Sequence, residues 1–111
     1  MWLESGIKLQ EARTLIEKAV KLEPKNPAFL DSLAWVHFKL GNPKEGLSWM
    51  KKCIEYSTEP DPTLFEHLGD IHAALGQKPE AEEAWKKSLK IEPNPGIEKK
   101  LKESESKPSS P

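Results

Sequence analysis

Histidine and carboxylate side chains at helical spacing are the residues of this sequence that could hold a metal ion. His67 and Asp70 lie three positions apart, and Glu66 directly precedes His67. One helical turn would bring such side chains to neighbouring positions, and Zn²⁺ is bound by imidazole nitrogens and carboxylate oxygens. Two ligands at this spacing are also common by chance, and the other histidines lie on other helical faces. We therefore expect no metal site and no bound cofactor.

The remaining reactive residue types stand at positions that favour a structural role. His37 and His72 recur 35 residues apart at equivalent positions, which indicates that both pack between helices. Cys53 lies on an apolar helical stripe, where a buried thiol is usually inert, and no second cysteine exists for an internal disulfide. The sequence contains no glycine-rich phosphate loop, nucleophile elbow or HExxH motif. These observations predict a non-catalytic protein.

Composition excludes several classes of partner and location. The 111 residues carry 17 Lys+Arg and 18 Asp+Glu, a net charge of -1, whereas nucleic-acid binding needs a basic surplus. Four Trp and three Phe argue against a disordered chain. No apolar run approaches the ~18 residues of a membrane span. Glu4 and Lys8 interrupt any secretory leader, so we expect no signal peptide and a cytoplasmic location.

The elements that position these residues repeat along the chain. Shifting the sequence by 35 positions superposes residues 27–61 on a second, similar segment, and residues 8–24 resemble the second half of the same unit. A period of 20–50 residues is typical of helical solenoids and related arrays. The identical pairs include Leu33/Leu68, His37/His72, Leu40/Leu75 and Gly41/Gly76.

Each repeated unit is predicted to form two helices. Apolar residues recur at i, i+3, i+4 and i+7, the pattern of one helical face. Glycines at 41 and 76 favour a left-handed turn after the first helix of each pair, and a turn is expected near Gly6. Asn42 and Glu45 resemble a capping box. Side-chain caps followed by proline are Asn26, Asn42, Asp61 and Asn94. The predicted helices are 8–22, 27–39, 43–56, 62–74, 78–91 and 96–103.

This pattern resembles the tetratricopeptide repeat family, which has small residues where its helices cross. Here those residues are Ala34, Gly46, Gly69 and Ala81. The resemblance implies an all-α protein: a right-handed α-solenoid of stacked antiparallel helix pairs, with about 2.5 repeats and a C-terminal capping helix. The predicted organisation is a repeat domain over 1–103 (partial repeat 1–26, repeats 27–61 and 62–95, capping helix 96–103) and a disordered tail over 104–111.

The resemblance also implies a concave groove lined by the first helix of each pair. Its composition, acidic with two aromatic rings, suits a basic or amphipathic peptide or helix. Two alternatives stay open: the carboxylates are an ordinary solvated face, and Trp35 packs against the neighbouring helix. The implied groove residues are Asp31, Ser32, Trp35, Phe38, Lys39, Thr63, Glu66, His67, Asp70 and Ala74.

One subtype of the family is not expected here. Its chaperone-binding members hold a C-terminal carboxylate with Lys, Asn and Arg side chains in the groove. The corresponding positions of this sequence carry Asp31, Ser32, Trp35, Glu66 and His67. A carboxylate clamp is therefore absent, and the tail of a heat-shock chaperone is a poor candidate partner.

The two ends of the repeat array differ. At the C-terminal end, Ile97 and Leu101 are predicted to face inward. The N-terminal helix has no preceding helix to cover it, so the chain is a piece of a longer array, pairs with a second copy, or folds back its first residues. The predicted function is a non-catalytic protein-interaction module; alternatives are homo-oligomerisation through the uncapped N-terminal face and a C-terminal regulatory segment of a larger protein. The charged residues predicted to face outward from the last helix are Glu98, Lys99, Lys100, Lys102 and Glu103.

Overall fold

The computed structural model describes residues 4–106, with side chains from Lys8 onward, and every regular element in that range is an α-helix. The all-α prediction is confirmed, and the four central helices begin and end at the predicted residues. Within the described residues, none of the helices has the length and apolarity that a membrane crossing requires. The helices are α1 (Glu4–Leu22), α2 (Pro27–Lys39), α3 (Pro43–Tyr56), α4 (Pro62–Ala74), α5 (Lys78–Ile91) and α6 (Pro95–Ser106).

The terminal helices are longer than predicted. α1 runs through Gly6, so the turn expected there is wrong; one glycine in a helix costs only about 1 kcal/mol and does not stop it. α6 begins at Pro95 because the Asn94 side chain accepts hydrogen bonds from the backbone N–H groups of Gly96 and Ile97, at 2.9 and 3.4 Å. It ends at Ser106, three residues beyond the predicted end. Residues 1–3 and 107–111 lie outside the described range.

Side-chain caps start three of the four helices where they were predicted. Asn26 accepts from the backbone N–H of Ala28 at 2.9 Å, and Asp61 accepts from that of Thr63 at 2.9 Å. The prediction of a capping box between Asn42 and Glu45 is wrong. Asn42 makes no side-chain cap hydrogen bond, because its backbone (φ -115°, ψ 65°) lacks the extended conformation of the other two residues.

Glycine ends the first helix of each complete pair, as predicted. Gly41 and Gly76 have φ values of 88° and 74°, in the left-handed region that other residues rarely adopt. This turn lets the second helix of the pair return antiparallel to the first.

The helices form two compact units, each with its own core. Unit 1 (Met1–Thr58) contains α1, α2 and α3, and α2 packs against both of the others. The contact between α2 and α3 is close because Gly46 has no side chain: a Cβ there would lie 2.9 Å from the carbonyl oxygen of Ala34. Leu30, Leu33 and Met50 are fully buried beside this crossing.

Unit 2 (Glu59–Pro111) contains α4, α5 and α6, and α5 packs against both of the others. Gly69 of α4 lies against the indole of Trp85 on α5, and a Cβ at this glycine would overlap the ring. Trp85 forms a buried cluster with Ala81 and with Ile97 of α6. The small residues that the sequence places at the helix crossings are thus buried in both units, as predicted.

Each unit contains a buried side-chain hydrogen bond at an equivalent position. In unit 1 the Cys53 thiol donates to the carbonyl oxygen of Pro27, with Sγ and O 3.1 Å apart. In unit 2 the Ser88 hydroxyl donates to the carbonyl oxygen of Pro62 at 2.8 Å. Both side chains are fully buried, so the predicted structural position of Cys53 is confirmed. A thiol in one repeat and a hydroxyl in the other thus donate to carbonyl oxygens at equivalent positions.

The two equivalent histidines are buried but differ in their hydrogen bonds. His72 Nδ1 lies 2.6 Å from Oε1 of Gln77, so the ring N–H donates to the amide oxygen. His37 Nδ1 is buried and makes no hydrogen bond within the described residues. Asn42 occupies the position that Gln77 has in unit 2, and its side chain is one methylene shorter. A buried polar group without a partner costs about 1–3 kcal/mol.

This difference predicts a stabilising substitution. Asn42→Gln should raise the free energy of unfolding by about 0.5–1.5 kcal/mol by giving the ring of His37 a hydrogen-bond acceptor. Nothing is lost in exchange, because neither Asn42 nor Gln77 caps the helix that follows it. Urea denaturation followed by circular dichroism measures the effect. The reciprocal control, Gln77→Asn, should destabilise; equal stability of both variants and the wild type would contradict the explanation.

Candidate functional site

Five of the predicted groove residues lie together on α2 of unit 1, and we call them the α2 patch. Trp35 and Phe38 are half-buried, with ring centroids 5.0 Å apart and planes tilted by 36°. Because these rings are large and only partly covered, they offer an apolar contact surface of the kind enriched at protein interfaces. The members of the α2 patch are Asp31, Ser32, Trp35, Phe38 and Lys39.

A lysine lies over the aromatic rings of the α2 patch. Lys39 Nζ is 5.1 Å from the centroid of Trp35 and 5.9 Å from that of Phe38, within the range of cation–π attraction. Asp31 stands one turn before Trp35 on the same helix, and Ser32 uses its hydroxyl to donate to the backbone oxygen of Ala28 at 3.0 Å. The patch therefore combines an aromatic surface with charges of both signs.

The other five predicted groove residues lie on α4 of unit 2, and we call them the α4 patch. Three of its members, Glu66, His67 and Asp70, are half-buried. Thr63 and Ala74 are exposed. The acidic pair stands four residues apart on the helix, so both carboxylates reach the same region of surface. The members of the α4 patch are Thr63, Glu66, His67, Asp70 and Ala74.

The acidic pair of the α4 patch is already bound to a lysine of α6. Lys100 Nζ donates to Oε2 of Glu66 at 3.2 Å and to Oδ1 and Oδ2 of Asp70 at 3.0 and 3.1 Å. Asp70 Oδ1 also accepts from the indole N–H of Trp85 at 3.2 Å. We call these four side chains the Lys100 network. Its hydrogen bonds connect α4 to both other helices of unit 2.

The network shifts the titration of its lysine. Partial burial lowers the pKa of Lys100, but the hydrogen bonds and negative charges of Asp70 and Glu66 outweigh it, so the pKa is raised above the ordinary value of 10.5. A raised pKa means that the folded chain holds this proton more tightly than the unfolded chain does. The stability that results is fully present below pH 10.5 and is lost as the pH rises through the raised pKa.

The prediction that Lys100 faces outward is wrong, whereas the other four charged residues predicted to face outward from α6 are exposed. Lys100 stands 34 residues after Glu66, and this separation equals the length of the repeat over 62–95. Continuing the repeat register into α6 would therefore have placed Lys100 at a groove position. The outward assignment treated α6 as an independent amphipathic helix and overlooked the long lysine side chain, which reaches back to the carboxylates.

The groups that could bind a metal do not converge. Glu66 and Asp70 both turn to the ammonium of Lys100. Among residues 4–106, no group of three or more His, Cys, Asp and Glu side chains has an arrangement that could hold a metal ion.

The N-terminal helix exposes leucine side chains. Leu15 and Leu22 of α1 are 66% and 83% exposed, whereas Val20 is buried. The Val20 side of α1 is thus covered within unit 1, and the side with the two leucines is not. Single exposed leucines are common, but two on one helix mark a candidate contact surface.

Comparison with protein families matches both complete repeats. Models described as "Tetratricopeptide repeat" match residues 28–60 and 62–95, which together make up more than half of the chain. The chain therefore belongs to the tetratricopeptide repeat family, as its sequence pattern indicates. Repeats of this family are in general non-catalytic modules for protein–protein interaction.

A curated relative agrees with this assignment. The TPR repeat-containing protein PA4667 of Pseudomonas aeruginosa is 37% identical over 60 residues, which are 54% of this chain and 10% of the relative. The chain thus spans about a tenth of the length of the curated relative that it matches.

The solved structures are similar in fold. The first TPR of Spaghetti (RPAP3), bound to the HSP90 peptide SRMEEVD, has a TM-score of 0.84 at 21% identity and covers 89% of this chain and 79% of its own. The N-terminal domain of stress-induced protein-1 from C. elegans has a TM-score of 0.73 at 21% identity and covers 92% of this chain and 95% of its own. Together with the six helices, these similarities confirm an all-α helical-repeat solenoid.

Proposed function

We propose that this chain is a non-catalytic module that binds a peptide or helix of a partner protein, with the α2 patch as its main contact. The observation that carries the proposal is the pair of half-buried rings, Trp35 and Phe38, beneath Lys39. Burying these rings against a partner would remove apolar surface from water, and tryptophan is enriched among the residues that dominate binding energy. The residues of the α4 patch are the second proposed contact.

The partner we propose is a basic amphipathic segment. An apolar stripe would cover Trp35 and Phe38, and lysine or arginine side chains flanking it would approach the carboxylate of Asp31. An ion pair within the chain supports this choice, because Glu66 and Asp70 of the α4 patch bind the ammonium of Lys100.

The same reasoning argues against the peptide held by one of the structural relatives. SRMEEVD contains three acidic residues and one arginine. Like charges brought together at an interface cost free energy, and Asp31, Glu66 and Asp70 supply negative charge at the proposed contacts. We therefore expect this chain to bind SRMEEVD more weakly than a basic amphipathic peptide of equal length.

The test compares two tryptophans in similar settings. Trp35→Ala should lower the affinity for the partner at least about tenfold, because truncation of a central aromatic contact commonly costs about 2 kcal/mol or more of binding free energy. Trp49→Ala is the matched control: Trp49 is also half-buried and has a lysine, Lys52, 5.1 Å from its centroid, but lies on α3. Each variant serves as bait in lysate of the source organism, and captured proteins are quantified by mass spectrometry.

The pattern of loss decides the outcome. Proteins retained by the wild type and by Trp49→Ala but lost by Trp35→Ala would support the α2 patch. Equal retention by all three baits would refute it. Circular dichroism of the baits excludes unfolding as the reason for a loss.

The exposed leucines of α1 favour one alternative, self-association through the N-terminal face. Leu15 and Leu22 would then be covered by a second copy of the chain. Sedimentation equilibrium separates this alternative from the main proposal, because only self-association makes the molar mass of the purified chain rise with concentration.

A further inference from the structure

The ammonium of Lys100 lies between the two carboxylates of the α4 patch and uses all its donors on them. It has three N–H donors, and three carboxylate oxygens of Glu66 and Asp70 lie within 3.2 Å of Nζ. Charge-assisted hydrogen bonds of this kind are the strong ones in proteins. A basic side chain arriving from a partner would therefore have to replace Lys100 to reach the same carboxylates.

The two ends of α6 are held by different kinds of contact. Near its start, Ile97 is 1% exposed and belongs to the buried cluster of unit 2. Farther along, the polar contacts are the Lys100 network, a hydrogen bond of 2.7 Å from Ser104 to Glu82, and an ion pair of 3.9 Å between Lys86 and Glu105. The last pair is at least half exposed and contributes little. Leu101 is half-buried and adds one apolar contact with the same cluster. The later turns of α6 otherwise depend on polar contacts, and an incoming basic segment can exchange those of Lys100.

We propose that α6 is an autoinhibitory element of unit 2: Lys100 occupies the cation position of the α4 patch, and a basic amphipathic helix binds there only by displacing it. This inference rests on the proposed function, because it concerns access to one of the two proposed contacts. The partner it fits resembles α6 itself, with an apolar anchor followed by a lysine about one turn later. Binding of the partner's lysine then requires release of the later turns of α6, and a partner that also seats its apolar anchor must displace Ile97.

A synthetic peptide of residues 94–106 is the probe, because it carries the lysine and the apolar anchor of α6. Its binding to full-length chains is measured by NMR titration. The chain with Lys100→Met keeps the length of the side chain but loses the ammonium, and should bind the peptide about tenfold more tightly than the wild type, which corresponds to about 1.4 kcal/mol. Lys99→Met is the matched control, because Lys99 is exposed and its removal changes the net charge equally.

A third chain locates the binding. Adding Glu66→Gln and Asp70→Asn to the Lys100→Met chain should abolish the gain, because the peptide lysine then finds no carboxylates on α4. Equal binding by the Lys100→Met and Lys99→Met chains, or no binding by either, would overturn the proposal. A gain that survives loss of both carboxylates would overturn it as well.

Hydrogen exchange gives an independent readout of the same release. Backbone amides of residues 100–106 should exchange faster in the Lys100→Met chain than in the Lys99→Met chain, while amides of α4 stay protected. Unchanged protection would mean that Lys100 does not hold the helix. Trp35→Ala reports on unit 1 and Lys100→Met on unit 2, so failure of this proposal is distinguished from failure of the proposed function.

Discussion

Trp85→Ala is expected to lower the free energy of unfolding by about 3–5 kcal/mol, the usual cost of removing a large aromatic side chain from a core. Trp85 is 6% exposed and fills the space between Gly69 of α4 and Ile97 of α6. Its indole N–H also donates to Asp70, so the substitution removes one hydrogen bond of the Lys100 network. Urea denaturation of the purified chains, followed by circular dichroism, measures the loss.

A second substitution tests whether the contact with Gly69 is the reason for this cost. Gly69→Ala alone should destabilise by about 1–3 kcal/mol, because the added methyl group overlaps the indole of Trp85. In the Trp85→Ala background the methyl group finds space, and alanine favours a helix over glycine by about 1 kcal/mol, so the same change should become neutral or stabilising. The double-mutant cycle is thus expected to show strong non-additivity.

An additive cycle would contradict this account of unit 2. It would mean that the methyl group at position 69 meets something other than Trp85. A Trp85→Ala chain as stable as the wild type would refute the more general claim that the indole is a core residue.

The helical framework could be predicted from sequence because its signals are local and repeated. Proline after Asn26 and after Asp61 marks two helix starts, and glycine at 41 and 76 marks the turns. The same signals recur at one period, so each unit supports the interpretation of the other. Together with the apolar periodicity, these signals predict the bounds of α2 to α5.

Two of the errors, at Asn42 and Lys100, concern the partners of single side chains. Asn42 has the residue type of a cap but a backbone conformation that prevents capping, which no local pattern reveals. Lys100 lies among charged residues of α6 that are exposed, and only its reach to Glu66 and Asp70 separates it from them. Such contacts depend on tertiary geometry, so sequence patterns could place these residues on helices but not predict their partners.

The two proposed contact surfaces differ in a way that sequence similarity conceals. Equivalent helices carry the α2 patch and the α4 patch, and the carboxylates of the α4 patch bind a lysine of α6. Two aromatic rings dominate the α2 patch, with ring centroids 5.0 Å apart. In the proposals made above, the α2 patch accordingly contacts an apolar stripe, and the α4 patch accepts a cation after Lys100 has left.

Ile97→Ala is the second substitution with a large expected effect, a loss of about 2–5 kcal/mol in the free energy of unfolding. Ile97 is 1% exposed and packs with Ala81 and Trp85, so truncation leaves a cavity at the point where α6 joins the core. Ile91→Ala is the matched control: this isoleucine is 38% exposed, and its truncation should cost much less. Urea denaturation of both chains gives the comparison, and equal losses would refute Ile97 as the apolar anchor.

Comparing Ile97→Ala with Lys100→Met separates the contacts near the start of α6 from those of its later turns. If the Ile97 anchor positions the whole helix, Ile97→Ala should speed hydrogen exchange along all of α6, including the turn that carries Lys100. Lys100→Met, by contrast, should affect only the later turns and change global stability far less, because it creates no cavity. If Ile97→Ala left the protection of residues 100–106 intact, the contacts of the later turns, namely the Lys100 network, Leu101 and Ser104, would suffice to hold that part of α6. In that case these contacts, and not the Ile97 anchor, would set the free energy that a competing helix must supply.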